Sequence, residues 1–163
     1  MKSRTYLIVD ADPSKSGLPE ILAYYTLAIH IMTISKNVNK TITKKLVMFY
    51  DGKEEIHRTP CFLIGQIGKN DSCLEATDGD EIIHRALDMI NMVHRTIGGR
   101  FIKIDCGPCG GLLSLYQRNG FQLIQYDEET KLNELVMFLS HEEPLQPKKE
   151  ESTQTTLEFS KEI

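Results

Sequence analysis

The segment formed by residues 60–106 constrains the fold of this chain more than any other part of the sequence. Residues 60–67 (PCFLIGQI) are an almost continuous apolar run, as expected of a strand buried on both faces of a sheet. Residues 79–97 place apolar side chains at helical spacing, and a pair of glycines ends the pattern. Residues 100–106 (RFIKIDC) then alternate apolar and polar side chains, which predicts a second strand. This order predicts a βαβ crossover whose two strands are parallel.

Further elements are predicted before the crossover. Residues 5–9 (TYLIV) and 21–34 are rich in β-branched and aromatic residues, and the turn formers between them favour an antiparallel hairpin. A helix is the alternative for residues 21–34. The polar, lysine-rich stretch 35–57 is interpreted as an insertion or a long loop, because charge runs usually form solvated surfaces.

Two more strands are predicted after the crossover. Residues 112–119 (LLSLYQRN) predict a short helix ended by a glycine, and residues 121–126 and 134–139 predict the strands. The chain is therefore expected to form one α/β domain over residues 1–140. Residues 141–163 lose the periodic apolar side chains and are predicted to form a disordered polar tail.

Length, charge and cysteine content narrow the class of protein. The 163 residues suit a single domain, and the formal net charge of -4 provides no chain-wide basic field for nucleic acid or an anionic membrane. The four cysteines are too sparse for a disulfide scaffold, and the CGPC pair at Cys106 and Cys109 is weak evidence for redox chemistry by itself. No signal peptide and no bilayer-spanning run is recognisable. A cytoplasmic protein is therefore expected.

Three segments of the crossover region share the pattern of one known family. They are residues 60–70 (PCFLIGQIGKN), 77–83 (TDGDEII) and 115–121 (LYQRNGF). The last segment is similar to an aromatic-Tyr-x-x-x-Gly-Phe pattern, with Tyr116 at the tyrosine and Leu115 at the aromatic position. Together they resemble the core of the GNAT superfamily of acyl-CoA-dependent N-acetyltransferases. The resemblance implies a GNAT-like mixed β-sheet with a long and a short helix packed on it.

The resemblance also implies an activity and a cofactor site. GNAT enzymes transfer an acetyl group from acetyl-CoA, as cosubstrate, to a primary amine, which is here expected to belong to a small molecule or a peptide. The pyrophosphate is expected at the N-terminus of the long helix, where N–H groups lack intrahelical partners. The donors there are those of Gly79, Asp80 and Glu81. The pantetheine arm is expected along three strand residues, Gln66, Ile67 and Gly68.

Tyr116 is expected to be the general acid. A phenol with a pKa near 10 can protonate the leaving thiolate during acyl transfer. The alternative is a core aromatic residue with a hydrogen-bonded hydroxyl. No general base is evident, because Glu54, Glu55 and His57 are expected on an exposed loop, and no metal ligands are predicted.

Departures from the family pattern leave other functions open. Residues 74–79 (LEATDG) keep only the last glycine of the usual pyrophosphate loop, and the strand and helices that normally precede the hairpin are expected to be lacking. One alternative is a degenerate, non-catalytic GNAT-like module whose exposed sheet edge pairs with another chain, for example in a homodimer. Another is an acetyltransferase toxin that acts on aminoacyl-tRNA through the lysine-rich residues 35–58. Nucleic acid is a partner only under this last alternative.

Overall fold

A computed structural model of the protein describes residues 2–10, 19–47, 50, 52, 56–73 and 77–140. The predicted polar tail, residues 141–163, lies outside the described residues. None of the helices in these ranges is long and apolar enough to cross a membrane. The elements are, in chain order, β1 (Arg4–Val9), β2 (Ile21–Ile34), α1 (Lys40–Leu46), β3 (His57–Lys69), α2 (Gly79–Ile97), β4 (Phe101–Cys106), α3 (Gly110–Arg118), β5 (Gln122–Asp127) and β6 (Leu132–Phe138).

The six strands form one mixed sheet in the order β1-β2-β3-β4-β6-β5. β3 and β4 are parallel and flank α2 in the chain, which confirms the predicted βαβ crossover. All other neighbouring strands in the sheet are antiparallel, including the predicted hairpin of β1 and β2. The helix considered as an alternative for β2 does not form.

α2 and α3 cover one face of the sheet. The helical spacing of α2 turns Ile82, Ile83, Ala86 and Ile90 towards the strands, where all four are buried. They pack with inward-facing residues of the central strands, such as Ile104 of β4. Burying a large aliphatic side chain contributes about 1.5–3 kcal/mol, so this face supplies much of the driving force for folding.

The opposite face is partly covered by α1, which corrects the prediction that residues 35–57 form an insertion or a long loop. Asn39 caps this helix by accepting a hydrogen bond from the Thr41 N–H at 2.8 Å. Leu46 is fully buried with Met32 and Phe101 in a second core cluster. A seven-residue helix with several lysines gives too short a periodic pattern to be recognised in the sequence.

The sheet curls around this second face, so that its far strand reaches back to β2. Gln125 of β5 donates from Nε2 to the Thr33 carbonyl at 2.8 Å and accepts from the Ser35 N–H at 3.0 Å. Three strands separate β5 from β2 in the sheet order. In a flat sheet, the four spacings between them would total about 19 Å, far beyond the reach of a glutamine side chain. The second face is therefore concave.

A substitution of Gly99 can test the packing just before β4. Its φ is 152°, and a Cβ placed there would lie 2.3 Å from Cε2 of the buried Phe62. We expect Gly99→Ala to lower the free energy of unfolding by about 2 kcal/mol or more, because backbone strain and overpacking act together. Urea denaturation measures the change. The control is Gly107→Ala, whose Cβ would meet nothing within 4 Å and should cost less than about 0.5 kcal/mol. Equal stability of the Gly99→Ala protein and the wild type would contradict this packing.

Candidate functional site

β3 and β4 separate part of the way along their length. They pair only through Phe62–Ile64 and Ile102–Ile104. β3 then continues to Lys69 and β4 to Cys106 without further pairing between them. The sheet therefore contains a gap, bordered on each side by strand backbone, which we call the β3–β4 gap.

A β-bulge lies at the start of the gap. One residue of β2, Thr26, stands opposite two residues of β3, Gly65 and Gln66, since the register passes from Leu27↔Ile64 to Tyr25↔Ile67. The Thr26 hydroxyl accepts a hydrogen bond from the Gln66 N–H at 2.7 Å. A Cβ on Gly65 would lie 2.9 Å from that hydroxyl oxygen, so the close approach requires glycine. Bulges bend a strand, and they are common beside active sites.

The three predicted pantetheine-binding residues border the gap, but they are not equally free to bind. The Gln66 N–H is already bonded to Thr26, so it is not a free donor. Ile67 and Gly68 pair with Tyr25 and Tyr24 of β2. Because successive strand residues direct their backbone groups to alternate sides, one of these two directs its N–H and C=O into the gap. Their predicted role in binding stays a prediction.

The N-terminus of α2 is capped by its own sequence. Asp78 accepts a hydrogen bond from the Glu81 N–H at 2.8 Å, so one of the three predicted pyrophosphate donors is engaged within the protein. The Glu81 carboxylate in turn accepts from the Thr77 hydroxyl and from Arg85. The N–H groups of Gly79 and Asp80 are the two predicted donors outside this cap.

α3 holds the first turn of α2 in place. The Asp80 carboxylate accepts a hydrogen bond from Nε of Arg118 at 2.9 Å and another from the side chain of Asn119. These bonds lower the pKa of Asp80 to about 2. Gly79 lies against Leu115, because a Cβ there would be 2.9 Å from Cδ2 of that leucine. The first turn of α2, where the pyrophosphate is predicted to bind, is thus joined to the C-terminal end of α3.

The charges around this helix end do not favour a polyanion. An open pocket of about 470 Å³ lies there. It is lined by four carboxylates, one imidazole and one guanidinium group, namely those of Asp78, Asp80, Glu81, Asp88, His84 and Arg85. Arg85 is paired with Glu81 at 2.7 Å. The helix dipole attracts a pyrophosphate, whereas the carboxylates repel it, so these residues fit a pyrophosphate less well than the gap fits an amide-rich chain. Residues 74–76 of the predicted loop lie outside the described part of the chain.

Tyr116 projects from α3 into the core, close to the end of β4. It is 6% exposed, and its ring meets Phe121 edge-on at a centroid distance of 6.2 Å. Burial, and then the neighbouring Cys106, raise the pKa of Tyr116, so the phenol is protonated at neutral pH. Among the described residues, the structure gives the hydroxyl no hydrogen-bond partner. The ring therefore packs in the core, but among the described residues the hydroxyl lacks the hydrogen bond that the alternative prediction expects.

The concave face carries an ion cluster around the buried Lys103, for which the sequence predicts no role. Lys103, whose side chain is 5% exposed, lies 2.7 Å from Glu134 and 3.0 Å from Asp105. Burial alone would lower the pKa of Lys103, but the hydrogen bond to Glu134 and the charge of Asp105 outweigh it and raise that pKa. The signal in the sequence is a pair of charged residues at alternating positions of an otherwise apolar central strand. It is easily read as a solvated strand face.

A mixed sheet with two parallel central strands that part at a bulge, a long helix between them and a tyrosine-bearing short helix after them defines a fold. The chain has the GNAT fold, as the sequence predicts. No family model and no curated protein sequence matches the chain.

Several solved structures share the fold at low sequence identity. AtaT complexed with acetyl-methionyl-tRNAfMet is 16% identical with a TM-score of 0.60, and the match covers 84% of this chain and 70% of that one. The KacTA–DNA complex is 18% identical with a TM-score of 0.55, over 83% and 67% of the two chains. A mutant AtaT toxin bound to acetyl-CoA and the C-terminus of the antitoxin AtaR is 15% identical with a TM-score of 0.56, over 83% and 68%. This chain thus spans about two thirds of each neighbour.

The contact between α2 and α3 can be tested by titration. In the wild type, the carboxyl carbon of Asp80 should titrate at about pH 2 by NMR. Because the folded-state pKa lies below its ordinary value of 3.8, the contact stabilises the protein above that pH and its contribution is lost as the pH falls towards 2. Arg118→Gln removes the main donor and should raise the Asp80 pKa. A wild-type Asp80 that titrates near 3.8 would exclude the contact.

Proposed function

We propose that this protein is an N-acetyltransferase that transfers an acetyl group from acetyl-CoA to a primary amine, with Tyr116 as the general acid. The observation that carries the proposal is the β3–β4 gap, with Tyr116, a buried residue whose hydroxyl has no hydrogen-bond partner among the described residues, near its end. A gap bordered by strand backbone suits the amide-rich pantetheine arm. The site residues remain those predicted: Tyr116 for chemistry, and Gln66, Ile67, Gly68, Gly79, Asp80 and Glu81 for the cofactor.

The chemistry is a direct transfer. The amine nitrogen attacks the carbonyl carbon of the thioester, the new C–N bond forms, and the C–S bond breaks. The bound cosubstrate supplies the activated acyl group and the thiolate leaving group. Tyr116 donates its phenolic proton to that thiolate, which is possible because its raised pKa keeps the phenol protonated. Backbone N–H groups at the gap would stabilise the developing oxyanion.

The neighbours of the same fold support the use of an acyl-CoA. AtaT and AtaTR structures contain acetyl-CoA. Because both are 15% identical to this chain, their ligands inform the proposal through the fold alone. The expectation of a cytoplasmic location also belongs to this proposal.

A degenerate, non-catalytic binding or assembly module is the second candidate function. It is favoured by the carboxylates around the N-terminus of α2 and by the engaged Glu81 N–H, both of which weaken a pyrophosphate site. It is also favoured by the edge strand β1, where Leu7 and Val9 are exposed. An edge of this kind can pair with another chain, so a homodimer stays a prediction.

A toxin that acetylates aminoacyl-tRNA is the third candidate. AtaT has been solved with acetyl-methionyl-tRNAfMet, and KacTA with DNA. In this chain the lysines predicted to meet phosphates include Lys40, Lys44 and Lys45, which are exposed on α1. Lys44 lies 5.7 Å from the centre of the Tyr50 ring. A cluster on so short a helix is also the ordinary composition of a solvated surface.

The test is a titration with acetyl-CoA followed by a tyrosine variant. Calorimetry should show acetyl-CoA binding by the wild type. Tyr116→Phe should lower kcat by about 10²–10⁴-fold, because the proton donor is lost, and should change the dissociation constant for acetyl-CoA by less than about twofold. Tyr50→Phe is the matched control, since its ring contacts His57 away from the gap, and it should keep wild-type kcat.

The outcomes separate the three candidates. Without acetyl-CoA binding by the wild type, the enzymatic proposal fails and the non-catalytic module is favoured. Full activity of the Tyr116→Phe protein would leave Tyr116 as a core aromatic residue only. Acetylation of aminoacyl-tRNA, but not of small amines, would favour the toxin.

A further inference from the structure

The connection between β4 and α3 carries two of the four cysteines. Cys106 is the last residue of β4 and Cys109 is the N-cap of α3, so the CGPC motif forms the whole connection. The chain bends at Pro108, and the Cys109 N–H donates to the Gly107 carbonyl at 2.7 Å. A C-x-x-C pair beside a βαβ unit is the usual sequence context of a redox dithiol. The proposed acetyl transfer uses neither of these thiols.

Cys109 has the surroundings of an attacking thiol. Its side chain is exposed at the N-terminus of a nine-residue helix. A Cβ on Gly111 would lie 4.0 Å from the Cys109 sulfur, so the sulfur lies beside the first helical turn. It makes no regular capping hydrogen bond, but the nearby N–H groups of Leu112 and Gly111 lower the pKa of the Cys109 thiol. The thiolate is the form that attacks a disulfide, and this position favours it.

Cys106 has the opposite surroundings. It is 4% exposed and packs in the main core with Tyr116. Burial raises the pKa of the Cys106 thiol, the hydrogen bond to Asn133 offsets part of this rise, and Cys109 adds to it. The two thiols therefore lie close enough to influence each other's ionisation. A buried thiol of this kind is a poor first nucleophile, but it can attack a neighbouring sulfur that has already been oxidised.

The connection leaves room for the two sulfurs to join. A disulfide needs Cα atoms about 4.4–6.8 Å apart, and a four-residue turn brings its first and last Cα atoms within about 7 Å. A Cβ placed on Gly107 or on Gly110 would meet nothing within 4 Å. Glycine adopts a wide range of backbone angles, so the connection can adjust without a clash at either position.

Neither a metal site nor another thiol accounts for the pair as well. Two thiols supply half of the four ligands of a structural zinc site, and the described residues include no group of three or more His, Cys, Asp or Glu that could hold a metal. The remaining cysteines differ from Cys109. Cys61 is buried, and burial raises its pKa to about 12. The Cys73 thiol donates a hydrogen bond to the Glu20 carboxylate at 3.0 Å, which favours its protonated form.

We propose that Cys106 and Cys109 form a redox-active dithiol, in which Cys109 attacks a low-molecular-weight disulfide and Cys106 then closes an intramolecular disulfide. The attacking thiol is the second cysteine of the motif, because the helix begins after the second cysteine. This inference does not depend on acetyl transfer. It does reach the proposed proton donor, since Cys106 is a neighbour of Tyr116 and a new bond at Cys106 would change the surroundings of that phenol.

The exchange has two steps. The Cys109 thiolate attacks one sulfur of the small disulfide, a mixed disulfide forms on Cys109, and one small thiolate leaves. The Cys106 sulfur loses its proton and attacks the Cys109 sulfur, so the Cys106–Cys109 bond forms and the second small thiolate leaves. The two cysteine sulfurs give up two electrons, the small disulfide is reduced to two thiols, and these take the two protons.

The test uses the reduced full chain, glutathione disulfide as the oxidant, and peptide mass spectrometry. The wild type should lose two hydrogen atoms and yield a peptide with a Cys106–Cys109 disulfide. Cys106→Ala should stop at a glutathione adduct on Cys109. Cys109→Ser, which keeps a good helix cap, should form neither product, and glutathione should attach to its Cys106 at least about tenfold more slowly than to Cys109 of the wild type.

Alkylation by iodoacetamide gives an independent measurement. At neutral pH, Cys109 should react at least about tenfold faster than the half-buried Cys73, and its rate should reach half its maximum below pH 9.0, the ordinary thiol pKa. In denaturing urea the Cys109 rate should fall, because the helix end is lost, whereas the rate of Cys61 should rise as it becomes exposed. The matched control, Cys73→Ser, should oxidise like the wild type.

Three results would overturn the proposal. They are a glutathione adduct that persists on wild-type Cys109, a first adduct on Cys106, and equal alkylation rates for Cys109 in folded and urea-denatured protein. None of these measurements involves acetyl-CoA, so each result leaves the proposed acetyl transfer to its own test.

Discussion

The loss of pairing between β3 and β4 is the constraint on which the rest of the site depends. Two adjacent parallel strands that stop pairing leave backbone N–H and C=O groups without partners, and such groups are costly when they are buried. The bulge reduces this cost on one side, because the Thr26 hydroxyl takes the Gln66 N–H. The groups that remain on the other side need water or a ligand. A polar, extended ligand such as a pantetheine chain can replace the missing strand contacts.

At the N-terminus of α2 the charges disfavour an anionic cofactor, although the β3–β4 gap has a suitable shape for its extended arm. A capping carboxylate contributes about 1 kcal/mol to a helix, and Asp78 provides it by using the Glu81 N–H. An anionic ligand would use the same donor. Helix stability and anion binding therefore compete here, and the neighbouring carboxylates of Asp80 and Glu81 favour the cap. The salt bridge from Asp80 to Arg118 serves a different purpose, since it fixes α2 against α3.

The sequence was informative wherever a pattern was long or local. The central crossover was predictable because residues 60–67 of β3 form an almost continuous apolar run and α2 repeats its apolar positions over 19 residues. α1 was not predictable, because seven residues hold too few turns for apolar side chains to recur at helical spacing. Gln66 lies beside the gap, but the bond that engages its N–H comes from Thr26, which is 40 residues away in the chain. The bridge made by Gln125 depends likewise on sheet curvature, which no local pattern encodes.

β4 presents different surroundings on the two faces of the sheet. Its final residues, Asp105 and Cys106, point to opposite faces because strand side chains alternate. One face is apolar and covered by helices, which suits a phenol that must stay protonated. The other is concave and carries buried charge, with Lys103 bound between two carboxylates. An acyl group held in the gap between β3 and β4 would be reachable from both faces, so the separation of two neighbouring strands opens the reacting atoms to an apolar face that carries Tyr116 and to a charged, concave face.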